Sequence, residues 1–113
     1  MRPLHTVVQL EEFIRRAKTL MSDDERERMV DFIAANPDGG TALGGGLWKV
    51  RFARPGGGKS GGFRTIYLFI GDDVPIFLMS VFAKNQKDNV TPAEKVALIE
   101  LGKGLVKSYG AAR

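Results

Sequence analysis

The spacing of apolar residues predicts two helices in the first third of the chain. Residues 10–21 carry apolar side chains three and four positions apart, which gives a helix with one apolar face. Ser22 and Glu25 have the spacing of a capping box, so a second helix is expected from residue 23. An Asn-Pro-Asp-Gly-Gly run at 36–40 ends that helix. Because the link is so short, the two helices are expected to form an antiparallel hairpin.

Strand-like patterns follow a glycine-rich loop at 38–46. Residues 47–53 alternate, with Lys49 and Arg51 on one face and apolar side chains on the other. Further strands are predicted at 63–70 and 76–83, and the second of these is apolar enough to be interior and buried on both faces. A short opening strand is predicted at 4–9.

A capping box also predicts the last helix. Thr91 and Glu94 have its spacing, and Pro92 occupies the first helical position. The inner face of this helix is predicted to consist of Leu98, Leu101 and Leu105. The resulting order is β-α-α-β-β-β-α. It predicts an α+β fold, in which the helical hairpin and the C-terminal helix pack on a small, mostly antiparallel sheet. With 113 residues, a single domain spanning 1–113 is expected.

Composition removes several classes of function. The chain has no cysteine and one histidine, which excludes disulfides, thiol catalysis, cysteine metal sites and two-histidine mechanisms. No apolar run reaches the roughly 18 residues of a membrane span. We therefore expect a cytoplasmic protein with no metal and no cofactor.

Charge is distributed unevenly along the chain. Residues 1–46 hold six basic and eight acidic residues, whereas residues 47–113 hold eleven basic and five acidic ones. The segment 47–67 contains five cations and no acid. Such a patch suits a polyanion, and phosphates are the commonest kind. A solvated basic face without a partner is the equally weighted alternative.

The glycine-rich segment at 54–62 contains a Gly-Lys-Ser triplet that resembles the end of a phosphate-binding P-loop. The first glycine of that motif is missing, and the residues that follow are strand-like rather than helical, so a nucleotide hydrolase is rejected. A mobile loop that brings Lys59 to an RNA or DNA backbone is preferred over a flexible hairpin loop that merely carries a basic residue.

If the three predicted strands pair in order, several cations converge at one side of the sheet. They are Lys49 and Arg51 on the first strand, Arg64 at the start of the second and Lys84 after the third. Clustered cations stabilise the charge that builds up at a phosphate in its transition state. A lysine with a depressed pKa in such a cluster could transfer a proton.

Aromatic and amide side chains lie among these cations. Tyr67 and Phe82 are given an even chance of lining the site, where unpaired RNA bases would stack on them. Asn85 and Lys87 lie in the polar segment after the third strand and could grip a backbone. His5 is assigned no role.

Three segments together, at 45–53, 58–67 and 82–91, resemble the RelE/ParE toxin superfamily. The RelE-like HigB toxins of bacterial type II toxin–antitoxin systems are the most similar branch, and the resemblance covers most of the chain. It implies a small cytoplasmic endoribonuclease that enters the ribosomal A site and cuts mRNA without a metal. The 2′-hydroxyl would attack the adjacent phosphate to give a 2′,3′-cyclic product. A HigA-like antitoxin with a helix-turn-helix part would be the neutralising partner.

Position by position, the resemblance implies roles for the basic residues. Arg64 and Arg51 would hold the scissile phosphate, while Lys59, Lys84 and Lys87 would supply charge and proton transfer. Which lysine acts as the general base is left open. Tyr67 and Phe82 would stack a base or orient the phosphate. RNA contacts are expected from the remaining members of the set: Lys49, Arg54 and Asn85.

Two alternatives remain at this point. The ParE branch shares the fold but inhibits DNA gyrase instead of cutting RNA, and fold alone does not decide function. A non-catalytic RNA-binding module would show salt-sensitive binding without cleavage. Trp48 stands where relatives commonly carry a basic residue, so one backbone contact is expected to be missing.

Overall fold

The computed structural model describes residues 5–53, 62–87 and 89–112. In these ranges the order is β-α-α-β-β-β-β-α, which agrees with the predicted α+β fold and adds one strand. The elements are β1 (Val7–Gln9), α1 (Glu11–Leu20), α2 (Asp23–Ala35), β2 (Thr41–Gly44), β3 (Leu47–Phe52), β4 (Phe63–Leu68), β5 (Ile76–Ala83) and α3 (Pro92–Ala112).

The five strands form one mixed sheet in the order β1-β5-β4-β3-β2. β1 pairs with β5 in parallel, and the other neighbouring pairs are antiparallel. The predicted pairing of the three main strands in chain order is confirmed, and β5 lies inside the sheet as its apolar sequence indicates. Both sheet faces therefore need cover, and α1 with α2 supplies it on one side while α3 supplies it on the other.

The expectation of a loop throughout 38–46 is wrong, because this segment contains β2. Gly45 and Gly46 form the two-residue link to β3, with φ angles of +64° and +86°. Two consecutive positive φ angles match the turn that joins tightly paired antiparallel strands, and glycine adopts them without strain. The paired glycines were thus a hairpin signal.

β5 contains a β-bulge that changes which side chains share a face. Ile66 pairs with Ser80 but Tyr67 pairs with Leu78, so one extra residue of β5 faces a single step of β4. As a result Phe82 lies on the same face as Arg64.

The face covered by α1 and α2, which we call the hairpin face, carries a closely packed apolar core. Phe13 and Ala17 of α1 and Met29 and Ile33 of α2 are fully or almost fully buried there. The predicted capping box at the start of α2 is present, because Ser22 Oγ accepts the Glu25 N–H and the Glu25 carboxylate accepts the Ser22 N–H.

The opposite face, which we call the α3 face, is covered less completely. Leu98 and Leu105 pack against its apolar cluster as predicted, but Leu101 stays 47% exposed and Ile99 and Val106 pack there as well. The rotation of α3 about its axis therefore differs from the one predicted.

Within the described ranges, no helix has both the length and the apolar character required to cross a bilayer.

Candidate functional site

Strand register places two arginines and a phenylalanine side by side on the α3 face. Arg51 of β3 pairs with Arg64 of β4, and Arg64 pairs with Phe82 of β5. Neighbouring strands lie about 4.8 Å apart, so the three side chains leave the sheet as close neighbours. Lys87 extends this line, since its Nζ lies 5.1 Å from the centre of the Phe82 ring. We call Arg51, Arg64 and Lys87, with the Phe82 ring, the basic row.

The arginines of the basic row differ in exposure. Arg64 lies in the middle strand of the sheet and is only 3% exposed, whereas Arg51 is exposed. Lys49 shares their face one step further along β3, where it pairs with Ile66. Arginine presents a planar set of donors that matches two oxygens of one phosphate. The arrangement thus offers one buried and one accessible guanidinium for a phosphate group, with a lysine beside them.

The turn after β5 brings two more of the predicted residues to this end of the sheet. Phe63 at the start of β4 pairs with Ala83 at the end of β5. The Lys84 N–H then donates to the Gly62 carbonyl at 3.3 Å, which ties the turn to the start of β4. Lys84 is half-buried and Asn85 is exposed. Both therefore lie near the end of the strands that carries Arg64.

Lys87 is held by an acidic residue that sequence reasoning treated only as a helix cap. Its Nζ lies 2.7 Å from Oε1 and 2.6 Å from Oε2 of Glu94, the third residue of α3. The hydrogen bonds from Lys87 and then from the Thr91 N–H lower the pKa of Glu94 to about 2. Glu94 lies between Lys87 and Lys95 in the sequence, and that placement was the available signal for an ion pair.

Phe82 does not have the surface position that base stacking requires. Its ring is 3% exposed and belongs to the apolar cluster of the α3 face. The Lys87 ammonium group lies over this ring. The cation is attracted by the negative face of the ring. Phe82 thus supports Lys87, and we drop its proposed role as a platform for an RNA base.

Tyr67 lies on the hairpin face, away from the basic row. It is fully buried, its hydroxyl donates to the Pro37 carbonyl at 2.8 Å, and its ring stacks on Trp48. Burial, the largest effect, raises the pKa of Tyr67 to about 12. The expectation that Tyr67 lines the site disagrees with this position. Arg64 and Tyr67 are three residues apart in one strand, and that odd spacing already placed them on opposite faces.

Lys59 and Arg54 lie outside the described residues. The structure therefore adds nothing to the roles that the sequence suggested for them.

A cavity of about 240 Å³, lined by both apolar and charged side chains, adjoins the basic row. It lies between the start of α1, β5 and the first half of α3, and Leu10, Met79 and Leu98 are among its lining residues. Phe82, Lys87 and Glu94 line it as well, so the cavity and the basic row share one boundary.

Comparison with known proteins agrees with this architecture. A family model described as the RelE toxin of the RelE / RelB toxin–antitoxin system matches residues 6–111. Among solved structures, the chain is similar to the E. coli toxin RelE in the free state, determined as a double arginine-to-alanine mutant. That match has a TM-score of 0.55 and 17% sequence identity, and covers 74% of this chain and 87% of that one. The structural likeness supports the fold, and the family match over nearly the whole length shows that the chain belongs to the RelE toxin family.

Proposed function

We propose that this toxin is a ribosome-dependent mRNA endonuclease that cleaves translated mRNA by a metal-independent attack of the 2′-hydroxyl. The observation that carries the proposal is the cross-strand line of Arg51, Arg64 and Phe82, with the Lys87 ammonium group above the ring. It concentrates cations at one end of the sheet, where an RNA phosphate would be held between them.

The chemistry needs charge stabilisation and two proton transfers. The 2′-oxygen forms a bond to phosphorus while the bond from phosphorus to the 5′-oxygen breaks. The 2′-hydroxyl proton goes to a base, and the departing 5′-oxygen takes a proton from an acid. Arg51 and Arg64 would hold the non-bridging oxygens, whose charge grows in the transition state. Lys84, Lys87 and Lys59 remain the candidates for charge and proton transfer, with Lys49, Asn85 and Arg54 contacting the RNA backbone.

A HigA-like antitoxin is the proposed partner, since family members of this kind are neutralised by a cognate antitoxin. The ribosomal A site with its mRNA is the proposed site of action, and the cytoplasm is the proposed compartment. These assignments rest on the family and on the basic row, and the experiment below tests the activity.

The test is expression under tight control, followed by mapping of the 5′ ends of cellular mRNA. We expect new cuts inside translated codons, and at least about a 100-fold loss of cutting in Arg64→Ala, because a preorganised donor to the reacting phosphate is removed. Arg64 is buried, so Arg64→Ala could unfold the protein. Arg64→Lys is therefore the second variant, because it keeps the positive charge but loses the planar guanidinium. Arg28→Ala removes an exposed arginine of α2 and is the matched control.

Other outcomes distinguish the alternatives. Growth arrest that is accompanied by DNA-damage signalling, while the mRNA stays uncut, would favour a ParE-like gyrase inhibitor. Salt-sensitive RNA binding without arrest or cuts would favour a binding module. Cutting by folded Arg64→Ala at the wild-type rate would overturn the site assignment while leaving the nuclease activity intact.

A further inference from the structure

The ion pair between Lys87 and Glu94 joins the basic row to the start of α3. Lys87 lies in the turn after β5, and both oxygens of the Glu94 carboxylate lie within 2.7 Å of its Nζ. The Phe82 ring lies beneath the same ammonium group, with its centre 5.1 Å from Nζ. A carboxylate and an aromatic ring therefore restrict the end of a side chain that has four rotatable bonds.

Glu94 is itself held in place by the helix cap. Its Oε1 accepts the Thr91 N–H at 2.8 Å, and the Glu94 N–H donates to Thr91 Oγ1 at 3.1 Å. This reciprocal pair is a capping box, which satisfies backbone donors at the helix start. One carboxylate thus caps α3 and holds Lys87, so the position of Nζ is tied to that of α3.

The pair leaves Lys87 able to contact a further anion. An ammonium group has three N–H donors, and Glu94 takes two of them. Among the described residues, no protein acceptor is found for the third. The Lys87 side chain is 34% exposed, so a phosphate held by Arg51 and Arg64 could reach it.

We propose that Glu94 is a positioning residue, which holds Lys87 Nζ at the end of the basic row so that its third donor meets the reacting RNA phosphate. This inference rests on the proposed nuclease function. Ordering a free lysine side chain costs rotamer entropy. Because Glu94 orders Lys87 before RNA arrives, less of that cost falls on the reaction step.

Two other roles for Glu94 make different predictions. If Glu94 only caps α3, then glutamine replaces it without loss, because a capping box accepts either residue. If Glu94 instead masks Lys87 from RNA, then removing its charge strengthens RNA binding and speeds cleavage. Positioning predicts slower cleavage with the cap intact, so one substitution separates the three roles.

The experiment compares Glu94→Gln with wild type in a purified translation system that contains a reporter mRNA. We expect kcat to fall about tenfold, which is less than the roughly 100-fold effect that a 1 Å misplacement can have. We expect KM to change less than about twofold, because the lost contact acts mainly in the transition state. Glu100→Gln is the matched control, since Glu100 pairs with Lys103 on the same helix outside the row; it should leave kcat unchanged.

A double mutant identifies the residue through which Glu94 acts. In a Lys87→Ala background, Glu94→Gln should cause no further loss, because the group that it positions is gone. An equal loss in both backgrounds, a wild-type rate or a faster rate would each overturn the inference. Thermal unfolding of each variant establishes that the compared proteins are folded.

Failure of the inference differs from failure of the proposed function. If wild type cleaves the reporter and Arg64→Ala does not, but Glu94→Gln matches wild type, only the positioning role is overturned. If wild type leaves the reporter intact on translating ribosomes, both are overturned.

Discussion

Side chains alternate between the two faces of the sheet, and the two faces differ in what they carry. On the hairpin face, α1 and α2 bury an apolar core in which the Tyr67 hydroxyl donates to the Pro37 carbonyl and Thr65 Oγ1 lies 2.8 Å from the sulfur of Met29. On the α3 face, an apolar cluster at one end of the strands gives way to Arg51 and Arg64 at the other.

Under the proposed function, this difference separates the residues that stabilise the fold from those that bind RNA. Closely packed groups contribute to the free energy of unfolding, whereas a concentration of like charges lowers that free energy through repulsion. β3 and β4 contribute to both, since each strand sends alternate side chains to opposite faces. Substitutions of adjacent residues in β3 or β4 should therefore affect different properties, namely stability for a side chain on the hairpin face and cleavage for one in the basic row.

The largest expected effect lies in the hairpin core. Phe13→Ala should lower the free energy of unfolding by about 3–5 kcal/mol, because a fully buried ring is replaced by a cavity. Leu101→Ala on the α3 face should cost under about 1.5 kcal/mol, because that side chain is already half exposed. Urea unfolding measures both, and equal losses would contradict the asymmetry of the two faces.

A smaller effect distinguishes Tyr67 from the basic row. Tyr67→Phe should cost about 1–3 kcal/mol of stability, because the buried Pro37 carbonyl loses its donor. Cleavage per folded molecule should stay at the wild-type level. Arg64→Lys should instead lower cleavage per folded molecule, because it keeps the charge but loses the planar set of donors. A fall in kcat for folded Tyr67→Phe would show that the site extends to the hairpin face.

The smallest expected effect is the pH dependence contributed by Glu94. Its pKa falls from the ordinary 4.5 to about 2 in the folded state, so its stabilising contribution is present above pH 4.5 and disappears as the pH drops towards 2. The carboxylate is 44% exposed and water screens it, so this contribution should stay within about 1 kcal/mol.

Urea unfolding of wild type and Glu94→Gln at several pH values measures this contribution. The difference in stability between the two proteins should shrink as the pH falls through that window. Arg15 and Arg16 lower the pKa of Glu12, which lines the same cavity as Glu94. Because Glu12 is present in both proteins, its titration does not contribute to the difference between them. A difference that stays constant down to pH 2 would contradict the contribution of the ion pair.

Local patterns predicted most of the elements, and the misses have identifiable causes. Both capping boxes were read correctly, because a cap depends on residues three apart in the chain. β2 was missed because its few residues have weak strand character and depend on pairing with β3. The exposure of Leu101 depends on how α3 is rotated against the sheet, and a run of apolar residues around most of the helix leaves that rotation open.

The candidate site was predicted in part. The convergence of Arg51 and Arg64 follows from antiparallel pairing of consecutive strands, which the sequence indicated. The assignment of Tyr67 to the same surface ignored the alternation of β4. The surface role of Phe82 overlooked how completely the sheet and the cation above it cover the ring.

The sequence by itself determined the helices, the main strands and the separation of Lys49 and Arg51 from their apolar neighbours, because these depend on side-chain period and local hydrogen bonds. Only the tertiary structure decided that Phe82 joins the arginine face, because an almost uniformly apolar strand does not reveal its bulge. It also decided that Glu94 holds Lys87 over that ring, because this contact depends on how the turn, β5 and α3 come together in space.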